Sequence, residues 1–202
     1  MPYDYKPFDY VPPKGLTEVE PRHPVLIVGA GPIGLAAALE LAGHGIASVV
    51  LDDNNVVSVG SRAICWSKRS LEILDRLGLG DACVDKGVTW KVGRTYHRDA
   101  EVFNFDLLPE DGHKMPAFVN LQQYYVEEYL VQACLDHDLV DLRFKNRVTA
   151  LDQHDEHVTA QIETPDGPYT LEGQYLLACD GAKSPIRQMM GLDFEGVLFE
   201  ER

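Results

Sequence analysis

Apolar and polar positions set the rhythm of this chain most clearly near its start. Val25-Leu26-Ile27-Val28 is an unbroken apolar run of strand length, which suits a strand covered on both faces. It leads directly into Gly29-Ala30-Gly31-Pro32-Ile33-Gly34. From Leu35 to Ala42 the pattern turns helical, and Gly43 and Gly45 end it. Ile46 to Leu51 then predicts a second apolar strand, closed by Asp52-Asp53. The order is strand, glycine turn, helix, strand, acid.

The pattern changes further along. Ser67 is placed to cap a helix over Lys68 to Leu77, where Leu71, Leu74 and Leu77 recur at helical spacing and Gly78 stops the run. Val88 to Leu107 alternates instead, as in Thr89-Trp90-Lys91-Val92, and predicts two or three antiparallel strands. Pro109 to Pro116 reads as a loop. Asn120 is expected to open another helix, through Gln123, Val126, Leu130 and Leu135. Val140–Phe144, Arg147–Leu151, His157–Glu163, Tyr169–Leu171 and Gln174–Cys179 follow as strands, with Asp166-Gly167 as a turn. Residues 1–23 carry five prolines among tyrosines and phenylalanines without a period, and read as an extended arm or an unordered tail. A parallel sheet built on the first βαβ unit, with antiparallel strands added, accounts for this order. A plain NAD dehydrogenase would need helices alternating with strands where Val88–Leu107 and Arg147–Leu171 alternate as strands.

The glycine turn carries specific chemistry. Gly29 permits the tight turn, Gly31 lets backbone approach a pyrophosphate, and Gly34 lets the helix pack on the strand. The helix N-terminus offers N–H groups and partial positive charge to phosphates. A carboxylate about twenty residues further on, here Asp52 or its neighbour Asp53, suits a ribose. Together these predict dinucleotide binding.

Charge and composition narrow the partners. A net charge of −14 argues against a nucleic acid and against an anionic membrane surface. No run of eighteen or more apolar residues exists, and the N-terminal residues lack the pattern of a signal peptide, so a cytoplasmic location is expected. Cys65, Cys83, Cys134 and Cys179 are widely spaced and read as reduced, partly buried residues. The seven histidines share no spacing, so no metal site is expected, and His154 and His157 are assigned to a solvent-facing hairpin. Trp66, Tyr96 and Phe118 are read as packing residues before substrate walls.

Tyr175-Leu-Leu-Ala-Cys-Asp180-Gly181-Ala-Lys-Ser-Pro-Ile-Arg187 resembles the Asp-Gly motif of the FAD-dependent aromatic hydroxylases, which have the para-hydroxybenzoate hydroxylase fold. Gly60 to Gly78 is similar to the family's segment after the second strand, and Asn120 to Glu127 to its third FAD-contact helix. The resemblance runs from Pro24 to about Gly196, and within the family points to the phenolic-acid branch, such as 3-(3-hydroxyphenyl)propionate hydroxylase.

The resemblance implies a fold of class α/β: a Rossmann-like FAD-binding parallel sheet, an antiparallel β layer and the start of a substrate-binding β region. It divides the chain into the arm at 1–23, an FAD-binding domain at 24–87 and 119–202, and a β insertion at 88–118 towards the substrate region. Gly29, Gly31 and Gly34 would lie under the FAD pyrophosphate, and Asp52 or Asp53 would take the adenosine ribose. Arg62 would meet the phosphate or ribityl region, and Gln123, with Gln122 as a rival, would sit near the flavin. Asp180 would bind the ribityl chain with Gly181 allowing close approach, and Arg187 would close the motif near FAD or the nicotinamide. No residue of this chain is assigned a catalytic role.

The activity implied is hydroxylation of a phenolic compound by FAD, NAD(P)H and O2 through a flavin hydroperoxide. Rival readings are another FAD enzyme of the same fold, a reductase or halogenase, and a non-catalytic FAD-binding fragment. The family's later motif is missing, so the chain looks like an N-terminal portion. A homodimer is left open.

Overall fold

The computed structural model of the chain describes residues 3–60 and 62–196. Met1 and Pro2 of the expected arm, Ser61 in the segment after the second strand, and residues 197–202 at the end of the expected FAD-binding domain lie outside the described residues. The chain opens with an extended stretch and a 3-10 turn, Lys14–Leu16. Then come β1 (His23–Val28), α1 (Pro32–Gly43) and β2 (Ser48–Asp52). β3 (Cys65–Ser67), α2 (Lys68–Arg76), α3 (Gly80–Lys86) and β4 (Val88–Trp90) follow. Next are the hairpin strands β5 (Val92–His97) and β6 (Ala100–Asp106), β7 (Phe118–Asn120) and α4 (Gln123–Leu135). The last elements are β8 (Val140–Phe144), β9 (Arg147–Gln153), β10 (Val158–Thr164), β11 (Gly167–Ala178) and α5 (Pro185–Met189).

These elements form two compact units, Pro7–Asn55 with His137–Arg202, and Met1–Lys6 with Val56–Asp136. The first is built on a six-stranded sheet in the order β8-β2-β1-β11-β10-β9. β8, β2, β1 and β11 run parallel, while β10 is antiparallel to both β11 and β9. Four consecutive residues of β1, Val25 to Val28, are buried, as a strand covered on both faces requires. α1 buries Leu35, Ala38, Leu39 and Ala42. A core of Leu26, Val28, Val49, Leu51, Ile162 and Leu171 fills this unit.

The second unit holds the three-stranded sheet β3-β7-β4, the β5–β6 hairpin and helices α2 to α4. α4 buries Val126, Glu127, Leu130, Val131 and Cys134, an apolar stripe at helical spacing with one carboxylate in it.

Several sequence expectations change. Ser67 holds the position before α2 but makes no side-chain cap; its hydroxyl lies 3.4 Å from that of Ser70. Asn120 does not open a helix: it ends β7, and α4 begins at Gln123. The strands expected at Tyr169–Leu171 and Gln174–Cys179 are one strand, β11, which changes partner at Gly173 from β10 to β1. A Cβ on Gly173 would come within 2.6 Å of Leu26 Cγ, so the crossing leaves room only for glycine. Through β11 the antiparallel strands continue the parallel sheet. Cys65 is exposed, whereas Cys83 and Cys134 are buried and Cys179 is half-buried.

Candidate functional site

The glycine turn follows β1, and each of its three glycines has a separate physical reason. Gly29 has φ +107°, and a Cβ there would lie 2.4 Å from the Cys179 carbonyl oxygen. Gly34 packs so tightly that its Cβ would fall 1.9 Å from the Gly29 carbonyl oxygen. Gly31 has extended backbone, and a Cβ there would meet nothing within 4 Å. So Gly29 and Gly34 are required by the protein's own packing, while Gly31 keeps a space open beside the start of α1. That helix begins at Pro32, has no side-chain cap, and directs its first-turn N–H groups to the same end.

The Asp-Gly corner lies beside this turn. Val28 pairs with Ala178 in parallel register, and the Cys179 N–H donates to the Val28 carbonyl at 2.7 Å. Asp180 Oδ2 accepts the Ile186 N–H at 3.0 Å, and Ser184 Oγ accepts the Arg187 N–H at 3.0 Å, which together start α5. Gly181 has φ +85° and open space at its Cβ position. Arg187 donates to the Ala182 carbonyl and lies over the Phe194 ring at 4.3 Å. Burial pushes the Cys179 thiol up, with the Asp180 charge adding to it, so this cysteine holds its proton.

Asp52 does more than end β2. Its Oδ2 accepts the Ala30 N–H at 2.6 Å and its Oδ1 the Asn54 N–H at 2.8 Å, so the acid braces the glycine turn itself. Asp53, next to it, is exposed.

Arg62 and Gln123 belong to the other unit. Arg62 is exposed, and its neighbour Ala63 donates from its N–H to Gln123 Oε1 at 3.3 Å. Gln123 Nε2 donates to Glu127 Oε1 at 2.6 Å. Gln122 stands before α4, exposed and without a capping bond. Glu127 and Ser58, the partners of Gln123, were not singled out from the sequence. The available signal was an acid inside the buried stripe of a helix, one turn after Gln123.

Trp66 donates from Nε1 to the Leu121 carbonyl at 2.8 Å, and Phe118 stacks on Trp90 at 5.0 Å, so both are packing residues. Tyr96 is exposed on the hairpin. His154 is exposed and half-buried His157 stacks against it at 4.3 Å. Among the described residues no group of three or more His, Cys, Asp or Glu is placed to hold a metal ion, and no helix is long and apolar enough to cross a membrane.

One cluster therefore gathers Gly29, Gly31, Gly34, Asp52, Asp180 and Gly181 at one end of the parallel strands of the sheet unit. The open space at Gly31, beside an uncapped helix N-terminus, fits the pyrophosphate of a dinucleotide such as FAD.

The chain is 33% identical over 181 residues to para-nitrophenol 4-monooxygenase of Pseudomonas sp. (strain WBC-3), covering 88% of this chain and 45% of that protein. It is 28% identical to the 3-(3-hydroxy-phenyl)propionate/3-hydroxycinnamic acid hydroxylase of Mycolicibacterium smegmatis, covering 88% of this chain and 32% of that protein. The crystal structure of p-nitrophenol 4-monooxygenase from Pseudomonas putida DLL-E4 superposes with a TM-score of 0.80 at 31% identity, over 87% of this chain and 45% of that one. The chain thus spans less than half the length of these relatives. Residues 22–199 match the family model described as FAD binding domain, and the chain belongs to that family.

Proposed function

We propose that this chain is the FAD-holding part of an NAD(P)H-dependent aromatic monooxygenase that hydroxylates a phenol. The observation that carries the reading is the adjacency of the glycine turn and the Asp180-Gly181 corner, with the space at Gly31 between an uncapped helix end and the strands. Relatives that act on a nitrophenol and on hydroxyphenyl acids support the substrate class.

In this reading the first-turn N–H groups of α1 bind the pyrophosphate. Asp52 holds the turn in shape and, with Asp53, meets the ribose. Asp180 and Gly181 receive the ribityl chain, and Arg62 and Gln123 supply further contacts to the cofactor. The chemistry supplied by the flavin, when bound, is hydride acceptance from NAD(P)H and activation of O2 for insertion of one oxygen atom into the ring. The residues of this chain bind and orient.

The test is a titration of the purified chain with FAD, followed by quenching of flavin fluorescence, and then NADH or NADPH oxidation with p-nitrophenol or 3-(3-hydroxyphenyl)propionate present. Saturable binding with phenol-stimulated oxidation is expected. Absence of FAD binding overturns the reading. Binding with oxidation but no oxygen in the product points to a reductase of the same fold. Binding without any oxidation leaves only the cofactor-holding role.

A further inference from the structure

Glu127 is 2% exposed, yet it sits in the apolar stripe of α4 between Val126 and Leu130. Burying a carboxylate is costly unless its oxygens are satisfied, and an apolar residue would fill the position without that cost. Its hydrogen bonds show what it holds. Oε2 accepts the Ser58 N–H at 2.5 Å, and Oε1 accepts the Ser58 hydroxyl at 2.7 Å. Oε1 also accepts Gln123 Nε2 at 2.6 Å. Gln123, one helical turn earlier, in turn binds Ala63 twice: its N–H donates to the Ala63 carbonyl at 3.1 Å, and its Oε1 accepts the Ala63 N–H.

Ser58 and Ala63 are therefore each fixed to α4, the first by Glu127 and the second by Gln123. Arg62 immediately precedes Ala63. Between Ser58 and Ala63, the Gly60 N–H donates to the Tyr5 hydroxyl at 3.3 Å, and Tyr5 packs edge-on against Tyr124 of the same helix.

We infer that Glu127 is a positioning residue, which holds the 58–63 segment and the Gln123 amide in the arrangement that receives FAD. The inference rests on the FAD reading above. The carboxylate also fixes which way the Gln123 amide faces. Its NH2 donates to Glu127 and, at 3.4 Å, to Ser58 Oγ, so its carbonyl oxygen is turned to the Ala63 side. A ligand meeting Gln123 finds an acceptor there, which suits a hydroxyl of a sugar or ribityl chain and not a phosphate oxygen.

The test compares the wild-type chain with Glu127→Gln, which keeps the shape but turns an NH2 towards the Ser58 donors. FAD affinity is read from flavin fluorescence, and amide hydrogen exchange is followed across 58–63 without FAD. Glu127→Gln is expected to weaken FAD binding about ten- to a hundredfold, the size of loss that follows when buried donors are left unsatisfied. It should speed exchange in 58–63 and leave exchange in β1 and β2 unchanged. Ser58→Ala retains the buried acid and should give a smaller loss, about tenfold or less. The double variant should be no worse than Glu127→Gln alone, because the two side chains act as one unit. If Glu127→Gln fails to fold, Ser58→Ala carries both measurements.

Wild-type affinity together with unchanged exchange in the variants overturns the inference. So does faster exchange with FAD affinity unaltered, since Glu127 would then serve folding alone. If the wild-type chain does not bind FAD, the functional reading fails instead, and the exchange measurement still decides whether Glu127 holds the segment.

Discussion

Gly31 and Gly34 are the same residue three positions apart, and they answer to different constraints. Gly34 is enclosed by protein: an added methyl would collide with the Gly29 carbonyl, a backbone atom that cannot swing aside. Gly31 is in extended backbone open to any residue, and its methyl would point into empty space. Gly34→Ala is therefore expected to destabilise the chain by about 1–3 kcal/mol or more, as overpacking does. Gly31→Ala should unfold at the wild-type temperature but bind FAD at least about tenfold more weakly, a change of roughly 1.4 kcal/mol. Thermal unfolding followed by FAD titration checks both. A Gly31→Ala chain with wild-type affinity would show that nothing closely approaches that backbone.

At the scale of elements, the stretch before β1 is joined to the sheet by an ion pair between buried side chains. Arg143 of β8 donates to both oxygens of Glu20 at 2.8 and 2.6 Å, to Asp141, and to the Tyr169 hydroxyl of β11. Burial pushes the Glu20 carboxyl up. The Arg143 hydrogen bonds and charge, with the Gly15 N–H, outweigh this and hold it below its ordinary 4.5. The folded state thus binds fewer protons than the unfolded state as pH falls past about 4.5. The stability this pair contributes is complete above that value and is lost as pH drops through the lower folded value. Glu20→Gln leaves Arg143 short of one partner and should cost about 3 kcal/mol at neutral pH. It should also flatten the acid limb of a urea-midpoint against pH profile. An acid limb identical to that of wild type would show that Glu20 does not set it.

Elements with a run of their own were legible in the sequence. β1, α1, β2 and β8 each carry a run long enough to be read, and Asp52 was a candidate through its place at a strand end. β3, β4 and β7 are three residues each, too short to show alternation, and their strand character comes from pairing with one another. The partner change of β11 at Gly173 was hidden for a similar reason. It depends on which strands lie on either side of β11, His23 of β1 and Val158 of β10 both meeting Gly173, and no local pattern records that. Gln123 was a candidate through its resemblance to a family motif, with Gln122 as a rival, whereas Glu127 needed the three-dimensional position of Ser58 to be seen as anything but a misplaced acid.

The whole molecule carries two opposed surface properties. Its net charge of −14 makes copies of the chain repel one another. Against that stands the edge of β11 beyond Gly173. β10 pairs with β11 only as far as Val158 opposite Gly173, and β1 takes the other side, so among the described residues Gln174 to Ala178 are paired on one edge alone. Tyr175 there is 69% exposed, and with Leu151, Leu176, Met189 and Met190 it lines an open cavity of about 790 Å³. An unpaired strand edge beside apolar side chains is a template for pairing with a second chain. The 202-residue chain is expected to self-associate as its concentration rises, and more strongly in high salt, where the charge repulsion is screened while the apolar contact is not. Tyr175→Lys places a charge on that edge and should shift the association to higher concentration. It should do so without changing FAD affinity, since the opposite side of β11 at Val28 and Ala178 is untouched. Sedimentation velocity at low and high salt measures this. A chain that stays monomeric at every concentration in high salt, or a Tyr175→Lys chain that associates as the wild type does, would show that this strand edge does not drive association.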